Sequence, residues 1–268
     1  MSLPENSFTL KNKVKFYDPE VSLTGNVSLV YSENSELEAY TVHRALSSLT
    51  GRTIRLVNLY DFLFFESPYV DSRDYILGII HDRNQITEFL DTAWALENHG
   101  ALITCLSNVK SKGMIQLFNY NDELCEINIA LSLLRKISEL SNDKRSREIS
   151  KELEEINSLE DWLKEKIKET KLGREIILSP VFAPARHLIN KFLSVNVWLY
   201  NDEHIPNQQK EVQFITTSAD ILVTRRKENE LRSNGINVKE TLLDVDPILA
   251  PIYLTLLTYL FKEVKGGL

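Results

Sequence analysis

The sequence has little cysteine, since Cys105 and Cys125 are the only two in 268 residues. A small secreted domain held together by disulfides needs several pairs, so no disulfide framework is predicted. Cys105 lies inside the apolar run 101–107, where a small buried hydrophobic residue is expected. Scarce cysteine therefore favours an intracellular, cytoplasmic protein.

The sequence also lacks an excess of basic residues and any long apolar run. The sequence has 31 Lys and Arg and 38 Asp and Glu, which gives a net charge of −7. A protein that binds nucleic acid needs a basic surface. The most apolar late segment, 248–261, is interrupted by Pro251 and is shorter than the ~20 residues that cross a bilayer. The N-terminal segment has no apolar stretch of a secretory signal. These absences predict no nucleic-acid partner and no membrane partner.

Short apolar runs that alternate with helical periodicity are the main positive signal in the first half. Strands are predicted at 27–31, 53–59, 75–80, 101–107 and 114–118, and helices at 36–49, about 87–98 and 123–140. Strands that are apolar throughout and alternate with helices indicate a parallel sheet covered on both faces. The predicted fold class is therefore α/β, with a flavodoxin-like unit.

A charged segment, 141–172, divides this first half from a second run of the same pattern. Its apolar residues are spaced for one face, which predicts a solvated connecting helix or pair of helices. After Gly173 strands and helices alternate again. The predicted organisation is a first unit at 1–140, a charged helical linker at 141–172 and a second unit at 173–268.

Three segments resemble the sugar isomerase (SIS) double-domain family. "SENSELEAYTVHRALSSLTGRTIRLVNLYDF", from Ser32, resembles the opening strand, turn and helix of a SIS domain. "DVDPILAPIYLTLLTYLFKEVKG" resembles the last helix of the isomerase half of glucosamine-6-phosphate synthase, and "NDEHIP" is similar to a histidine loop of that enzyme and of the archaeal phosphoglucose/phosphomannose isomerases. The resemblance implies two SIS units, a phosphosugar ligand at the strand ends and a homodimer, with neither a metal nor another cofactor.

The resemblance also implies a set of ligand contacts in two loops. They are Ser32, Asn34 and Ser35 after the first strand, and His81, Arg83, Asn84, Gln85 and Thr87 after the third strand. The second loop lacks the Ser and Thr residues of the family. It is either a connector that has lost its phosphate site or a site in which His81 and Arg83 replace hydroxyls with charge, since arginine binds phosphate bidentately. Asp82 argues against an anion there, and Asn84 suits the left-handed position of a family glycine.

Each of these positions also has a purely structural interpretation. Ser35 and Glu38 have the spacing of a capping box at a helix start. "TTSAD", 216–220, is a possible second anion loop or a helix cap. The aromatics Phe62, Phe64 and Phe65 are predicted to pack in a core or an interface.

His204 and Glu123 are the candidate catalytic residues. The resemblance places His204 on the ring-opening histidine, which could exchange protons with a sugar oxygen near neutral pH, but it could equally be a solvated loop residue. Glu123 lies near a family glutamate of the sugar pocket, or it only begins a helix.

The family's base for isomerisation has no counterpart at its counted position. It falls near Asn196, the preceding helix has no carboxylate, and the chain stops at "KGGL" before the family's lysine segment. The sequence therefore predicts a phosphosugar-binding SIS protein with weak or no aldose–ketose isomerase activity. The alternative is a structural or interaction paralog without a small-molecule ligand.

Overall fold

The computed structural model describes residues 10–71, 74–156, 159–169, 172–202 and 211–265. The chain divides into two compact units. One is Lys11–Ile156, and the other joins Asn157–Leu268 with Met1–Leu10. Each unit has its own parallel sheet, which confirms the predicted α/β class.

The first unit contains a five-stranded parallel sheet in the order β2-β1-β3-β4-β5. Its elements are β1 (Val27–Tyr31), α1 (Glu36–Thr50), β2 (Arg55–Asn58), α2 (Leu59–Asp61), β3 (Tyr75–Ile79), α3 (Arg83–Ala95), β4 (His99–Thr104), β5 (Met114–Asn119), α4 (Cys125–Ser138) and α5 (Lys144–Glu154). This strand order is that of flavodoxin-like sheets. The predicted strands are confirmed to within two residues at their starts, and Gly51 ends α1 in the left-handed conformation, with φ of 66°.

The second unit contains a four-stranded parallel sheet in the order β7-β6-β8-β9. Its elements are α6 (Leu159–Glu169), β6 (Glu175–Leu178), α7 (Arg186–Phe192), β7 (Asn196–Leu199), β8 (Glu211–Thr216), α8 (Ile221–Ser233), β9 (Asn237–Leu242) and α9 (Ala250–Lys265). The charged segment is thus two helices, of which α5 clusters with the first unit. The strand order repeats the first four positions of the first sheet.

The apolar C-terminal helix α9 is a core helix. Every residue from 250 to 261 is buried, which accounts for the apolar composition on all its faces. Among the described residues, no helix combines the length and the hydropathy that a bilayer crossing requires.

The start of α3 differs from the prediction. The helix begins at Arg83 rather than after Thr87, so only Ile80, His81 and Asp82 lie between it and the end of β3 at Ile79. The polar run 83–85 hides the helix start, but Ile86, Phe89, Leu90 and Ala93 form the buried face. Asn84 is consequently helical, and the prediction of a left-handed residue there was wrong.

The segment after β2 places aromatic side chains both inside and outside. It runs through α2 into a π-helical turn at Phe62–Glu66 and a 3₁₀ turn at Ser67–Tyr69. Phe62 is fully buried and packs against Phe89. Phe64 and Phe65 are 69% and 70% exposed, so core packing is confirmed for Phe62 alone.

Candidate functional site

The candidate site lies where the first sheet changes direction. The chain leaves β1 for β2 on one side and returns to β3 on the other, so the connections diverge between β1 and β3. In open α/β sheets, ligands bind at the carboxyl ends of the strands at such a switch point. The turn Ser32–Ser35 follows β1 and the pair His81–Asp82 follows β3. The sequence-predicted residues of the two loops therefore meet at one edge of the sheet.

The serine turn joins the ends of these two strands. The hydroxyl of Ser35 donates to the carbonyl of Ile79 at 2.5 Å and accepts from the amide of Ser32 at 3.0 Å. The hydroxyl of Ser32 contacts the side-chain oxygen of Asn34. Ser35 is fully buried and Ser32 is 2% exposed, while Asn34 is half-buried. The two serine hydroxyls therefore stabilise the turn from inside it.

Glu38 contacts a buried histidine instead of forming the predicted capping box with Ser35. Ser35 makes no side-chain cap for α1, and Glu38 turns away from the helix start. Glu38 Oε1 instead lies 2.7 Å from His81 Nε2, with the two side chains 1% and 6% exposed. The prediction that Ser35 and Glu38 cap α1 together was wrong, because Glu38 lies on the buried face of α1 with Thr41, Val42 and Ala45.

The contacts of His81 select its tautomer. The backbone amide of Cys105, just after β4, donates to His81 Nδ1 at 3.2 Å, so that nitrogen acts as an acceptor. The hydrogen of the neutral ring is then on Nε2, which donates to Glu38. Three elements thus hold this imidazole: the end of β3, the end of β4 and helix α1.

The carboxyl of Glu38 is poised to hold a proton. Burial raises its pKa, the hydrogen bond from His81 lowers it, and the nearby carboxylate of Glu126 raises it again, with a net upward shift. Oε2 of Glu38 is buried without a hydrogen-bond partner. Sequence reasoning missed Glu38 and Glu126 as members of the site. The available signal was a charged residue at a buried helical position.

Asp82 occupies the amino end of α3. Its carboxylate oxygen accepts from the backbone amides of Asn84 at 2.9 Å and Gln85 at 3.1 Å. These amides are the groups with which a helix start commonly holds a phosphate. The resemblance predicted that Asn84 and Gln85 contact the ligand. The Asp82 carboxylate already binds their backbone amides.

Arg83 and Thr87 face a separate cleft beside the switch point. The cleft lies between α3 and the segment 108–112 that connects β4 to β5, and its volume is about 330 Å³. Its lining residues are Arg83, Ile86, Thr87, Leu90, Asp91, Asn108, Val109, Lys110, Ser111 and Lys112. Arg83 is exposed, and its guanidinium makes no ion pair with any residue that the structure describes, including Asp82 and Glu88. The predicted ligand contacts are thus divided between the switch point and this cleft.

Of the two candidate catalytic residues, the structure describes Glu123, which does not join the buried His81–Glu38 pair. Glu123 precedes α4 and forms an ion pair with Lys13 at 2.9 Å, with half of its side chain exposed. His204 lies outside the described residues. Within the described ranges, no three His, Cys, Asp or Glu side chains are arranged to hold a metal ion.

The two cysteines form a disulfide, contrary to the sequence-based prediction. Cys105 and Cys125 are bonded, with Cα atoms 5.8 Å apart, and join the end of β4 to the first residue of α4. The prediction that Cys105 is merely a small buried residue failed because the parallel sheet brings the two segments together at one edge. Disulfides are rare in cytosolic proteins, so this bond and the predicted cytoplasmic location point in opposite directions.

Reducing the disulfide is expected to destabilise the first unit. The bond spans 20 residues, and the chain-entropy account assigns a loop of this size about 3 kcal/mol. For a unit of this size the melting temperature should fall by roughly 6–12 °C. Thermal unfolding with and without a phosphine reductant measures the shift, and a Cys105→Ala/Cys125→Ala variant should not respond to the reductant. An equal melting temperature in both conditions would contradict this expectation.

The second unit has an internal carboxylate at the corresponding edge. Asp220 accepts from the amide of Thr217 at 2.9 Å and from the amide of Val181 at 3.0 Å. Burial disfavours the ionised form, but these hydrogen bonds and that of the Thr217 hydroxyl lower the pKa of Asp220 overall. The loop 216–220, predicted as an anion loop or a helix cap, thus holds an anion of its own.

The fold of this chain also occurs in proteins of known structure. No protein-family model matches the sequence, and no curated protein matches it. Among solved structures, glucosamine-6-phosphate deaminase from Thermotoga maritima superposes with a TM-score of 0.64 at 15% identity, over 91% of this chain and 87% of that protein.

Two further structures show the same similarity. The C-terminal domain of glucosamine-fructose-6-phosphate aminotransferase from Francisella tularensis has a TM-score of 0.58 at 13% identity, over 91% of this chain and 85% of that one. Tagatose-6-phosphate ketose/aldose isomerase from Escherichia coli has a TM-score of 0.58 at 12% identity, over 91% and 83%. At such low identity the similarity concerns the fold. The chain therefore shares the fold of proteins that act on sugar phosphates, in agreement with the SIS resemblance of its sequence.

Proposed function

We propose that this protein binds a phosphosugar at the carboxyl edge of the first sheet and has weak or no aldose–ketose isomerase activity. The observation that carries the proposal is the switch point between β1 and β3. There the serine turn and His81 meet beside a cleft lined by an arginine without an ion-pair partner among the described residues. A homodimer and a cytoplasmic location belong to the same proposal.

The weakness of catalysis is inferred from three features of the described residues. Asp82 takes the helix amides that would hold a phosphate. Helix α7 carries no carboxylate. Asn196, at the counted position of the family base, begins β7 and therefore lies at the amino edge of its sheet, opposite the edge where ligands bind. Proton transfer then depends on His204, Glu123 or the His81–Glu38 pair, of which the last is nearly closed to solvent.

Purified protein is expected not to interconvert fructose 6-phosphate and glucose 6-phosphate, or the amino analogue, at an enzymatic rate. Positioned acid–base groups contribute about 10²-fold or more each, so their absence should leave little turnover above background. A coupled assay, with an active sugar-phosphate isomerase as the positive control, measures the rate. Turnover of ~1 per second or more would refute the catalytic half of the proposal.

Binding is tested separately by a thermal-shift screen. A ligand that binds only the native state raises the melting temperature by mass action. Hexose 6-phosphates, the corresponding free hexoses and inorganic phosphate form the panel. A shift produced by a hexose 6-phosphate but not by its free hexose supports the proposal, and no shift with any hexose phosphate contradicts it.

A second candidate function is an interaction role without a small-molecule ligand. It is favoured by the exposed aromatic side chains after β2, where Tyr60, Phe64, Phe65 and Tyr69 are 46–85% exposed. Exposed aromatic patches commonly mark interaction surfaces. An empty ligand screen would turn the proposal toward this alternative.

A further inference from the structure

We propose that the ligand's phosphate binds in the cleft between α3 and residues 108–112, on Arg83 and Lys110, and that Asp82 excludes it from the amino end of α3. The inference rests on the proposed function, because it locates one group of the proposed ligand. It differs from the resemblance, which placed the phosphate on the loop and helix start after the third strand.

Asp82 occupies most of the amino end of α3. The Asp82 carboxylate accepts the amides of Asn84 and Gln85, and its backbone carbonyl accepts the amide of Ile86. A phosphate arriving here must displace a covalently tethered carboxylate and then lie against its negative charge. Like charges at such a short distance repel one another. Asp82 therefore acts as a built-in competitor for phosphate.

The neighbouring cleft has the opposite charge. Its lining holds Arg83, Lys110 and Lys112 against the single carboxylate of Asp91, a net charge of +2. A phosphate monoester carries about −1.5 to −2 at neutral pH, so the charges are complementary. The cations also differ in availability. Lys112 is held by Asp91 at 2.6 Å and lies over the ring of Trp94, whereas Arg83 and Lys110 are exposed and have no ion pair among the described residues.

The shape of the cleft suits a small phosphorylated carbohydrate. Its volume of about 330 Å³ is at the lower end of ligand pockets, and Ile86, Leu90 and Val109 supply an apolar floor. Arg83 is the first residue of α3, two positions after His81, so the part of the cleft that it lines is close in the chain to the switch point. The ligand class is thus a phosphate monoester with a small polyol.

The experiment measures binding of a hexose 6-phosphate and of inorganic phosphate to four variants of the full chain by calorimetry. Arg83→Ala and Lys110→Ala remove the proposed phosphate contacts, and each should weaken binding about tenfold or more, as expected for charge-assisted hydrogen bonds. Arg226→Ala is the matched control, since Arg226 is exposed on α8 in the other unit. Asp82→Ser keeps a capping hydroxyl but removes the competing charge, so its affinity for phosphate should rise above that of the wild type.

The possible outcomes separate the two proposals. Wild-type affinity in both Arg83→Ala and Lys110→Ala would overturn the cleft as the phosphate site, and an unchanged affinity in Asp82→Ser would overturn the exclusion by Asp82. Either result leaves phosphosugar binding intact. If no hexose phosphate binds but inorganic phosphate shifts the amide resonances of residues 83–90 and 108–112, the proposed function fails and the phosphate site stands. If neither binds, both are wrong.

Discussion

Replacing Gly100 with alanine is expected to prevent the first unit from folding. Gly100 lies in β4 opposite Ile76 of β3, and an added Cβ would lie 1.8 Å from the Ile76 carbonyl oxygen. That oxygen belongs to the backbone at the centre of the sheet, so no side-chain rotation relieves the overlap. The two strands would have to separate, and the expected loss exceeds about 4 kcal/mol, which few single substitutions reach.

The matched control is Gly51→Ala, at the carboxyl end of α1. Gly51 has φ of 66°, but nothing lies within 4 Å of an added Cβ. Gly51→Ala should therefore lower the stability only by the strain of holding alanine in the left-handed conformation, about 1–2 kcal/mol. Soluble yield, circular dichroism and thermal melting of the two variants measure the difference. A folded Gly100→Ala protein with the stability of Gly51→Ala would show that β3 and β4 can separate locally at small cost.

The sequence predicted the sheet because its signal is local. The apolar runs of β1, β3 and β4 are each long enough to indicate a buried strand, and helices that separate them leave parallel pairing as the natural arrangement. Helix starts were harder to place. At α3 the first turn is polar, and Asp82 could be recognised as its cap only by knowing where its carboxylate points.

The candidate site was predicted in part, for a similar reason. Ser35 and His81 lie at the carboxyl edge of the sheet, because each comes within four residues of the end of a strand. The sequence predicted that Glu38 forms a capping box with Ser35, because the two residues have the right spacing. In the structure Glu38 instead bonds to His81, which is 43 residues away in the sequence. The Cys105–Cys125 bond and the contribution of Lys110 to the cleft likewise depend on how the chain returns to one edge. No periodicity in the sequence encodes such contacts.

Removing His81 is expected to make the stability of the first unit strongly dependent on pH. Its imidazole is the hydrogen-bond partner that the structure gives to the buried carboxyl of Glu38, whose Oε2 has none. Leaving a buried charged group without its hydrogen-bond partner typically costs about 1–3 kcal/mol or more. In His81→Ala that cost should appear near neutral pH and shrink in acid, where Glu38 takes up a proton.

The direction follows from the pKa of Glu38. Burial already raises it, and His81 is the group that opposes the rise, so His81→Ala raises it further. The folded variant then holds a proton that the unfolded chain, with an ordinary glutamate pKa near 4.3, has released. Stability is full below that ordinary value and is lost as pH rises toward the raised folded pKa. The slope is at most about 1.4 kcal/mol per pH unit.

A His81→Ala/Glu38→Gln double variant isolates this effect. Both proteins lack His81, so titration of the imidazole in the unfolded chain cancels between them, and only the carboxyl differs. Urea unfolding at pH 5, 6, 7 and 8 should show the double variant gaining stability over the single one as pH rises. A constant difference across this range would mean that Glu38 stays ionised without His81, and that water or a neighbouring side chain replaces the imidazole. A widening difference would establish that Glu38, beside the serine turn, is a buried carboxyl that takes up a proton as the pH falls.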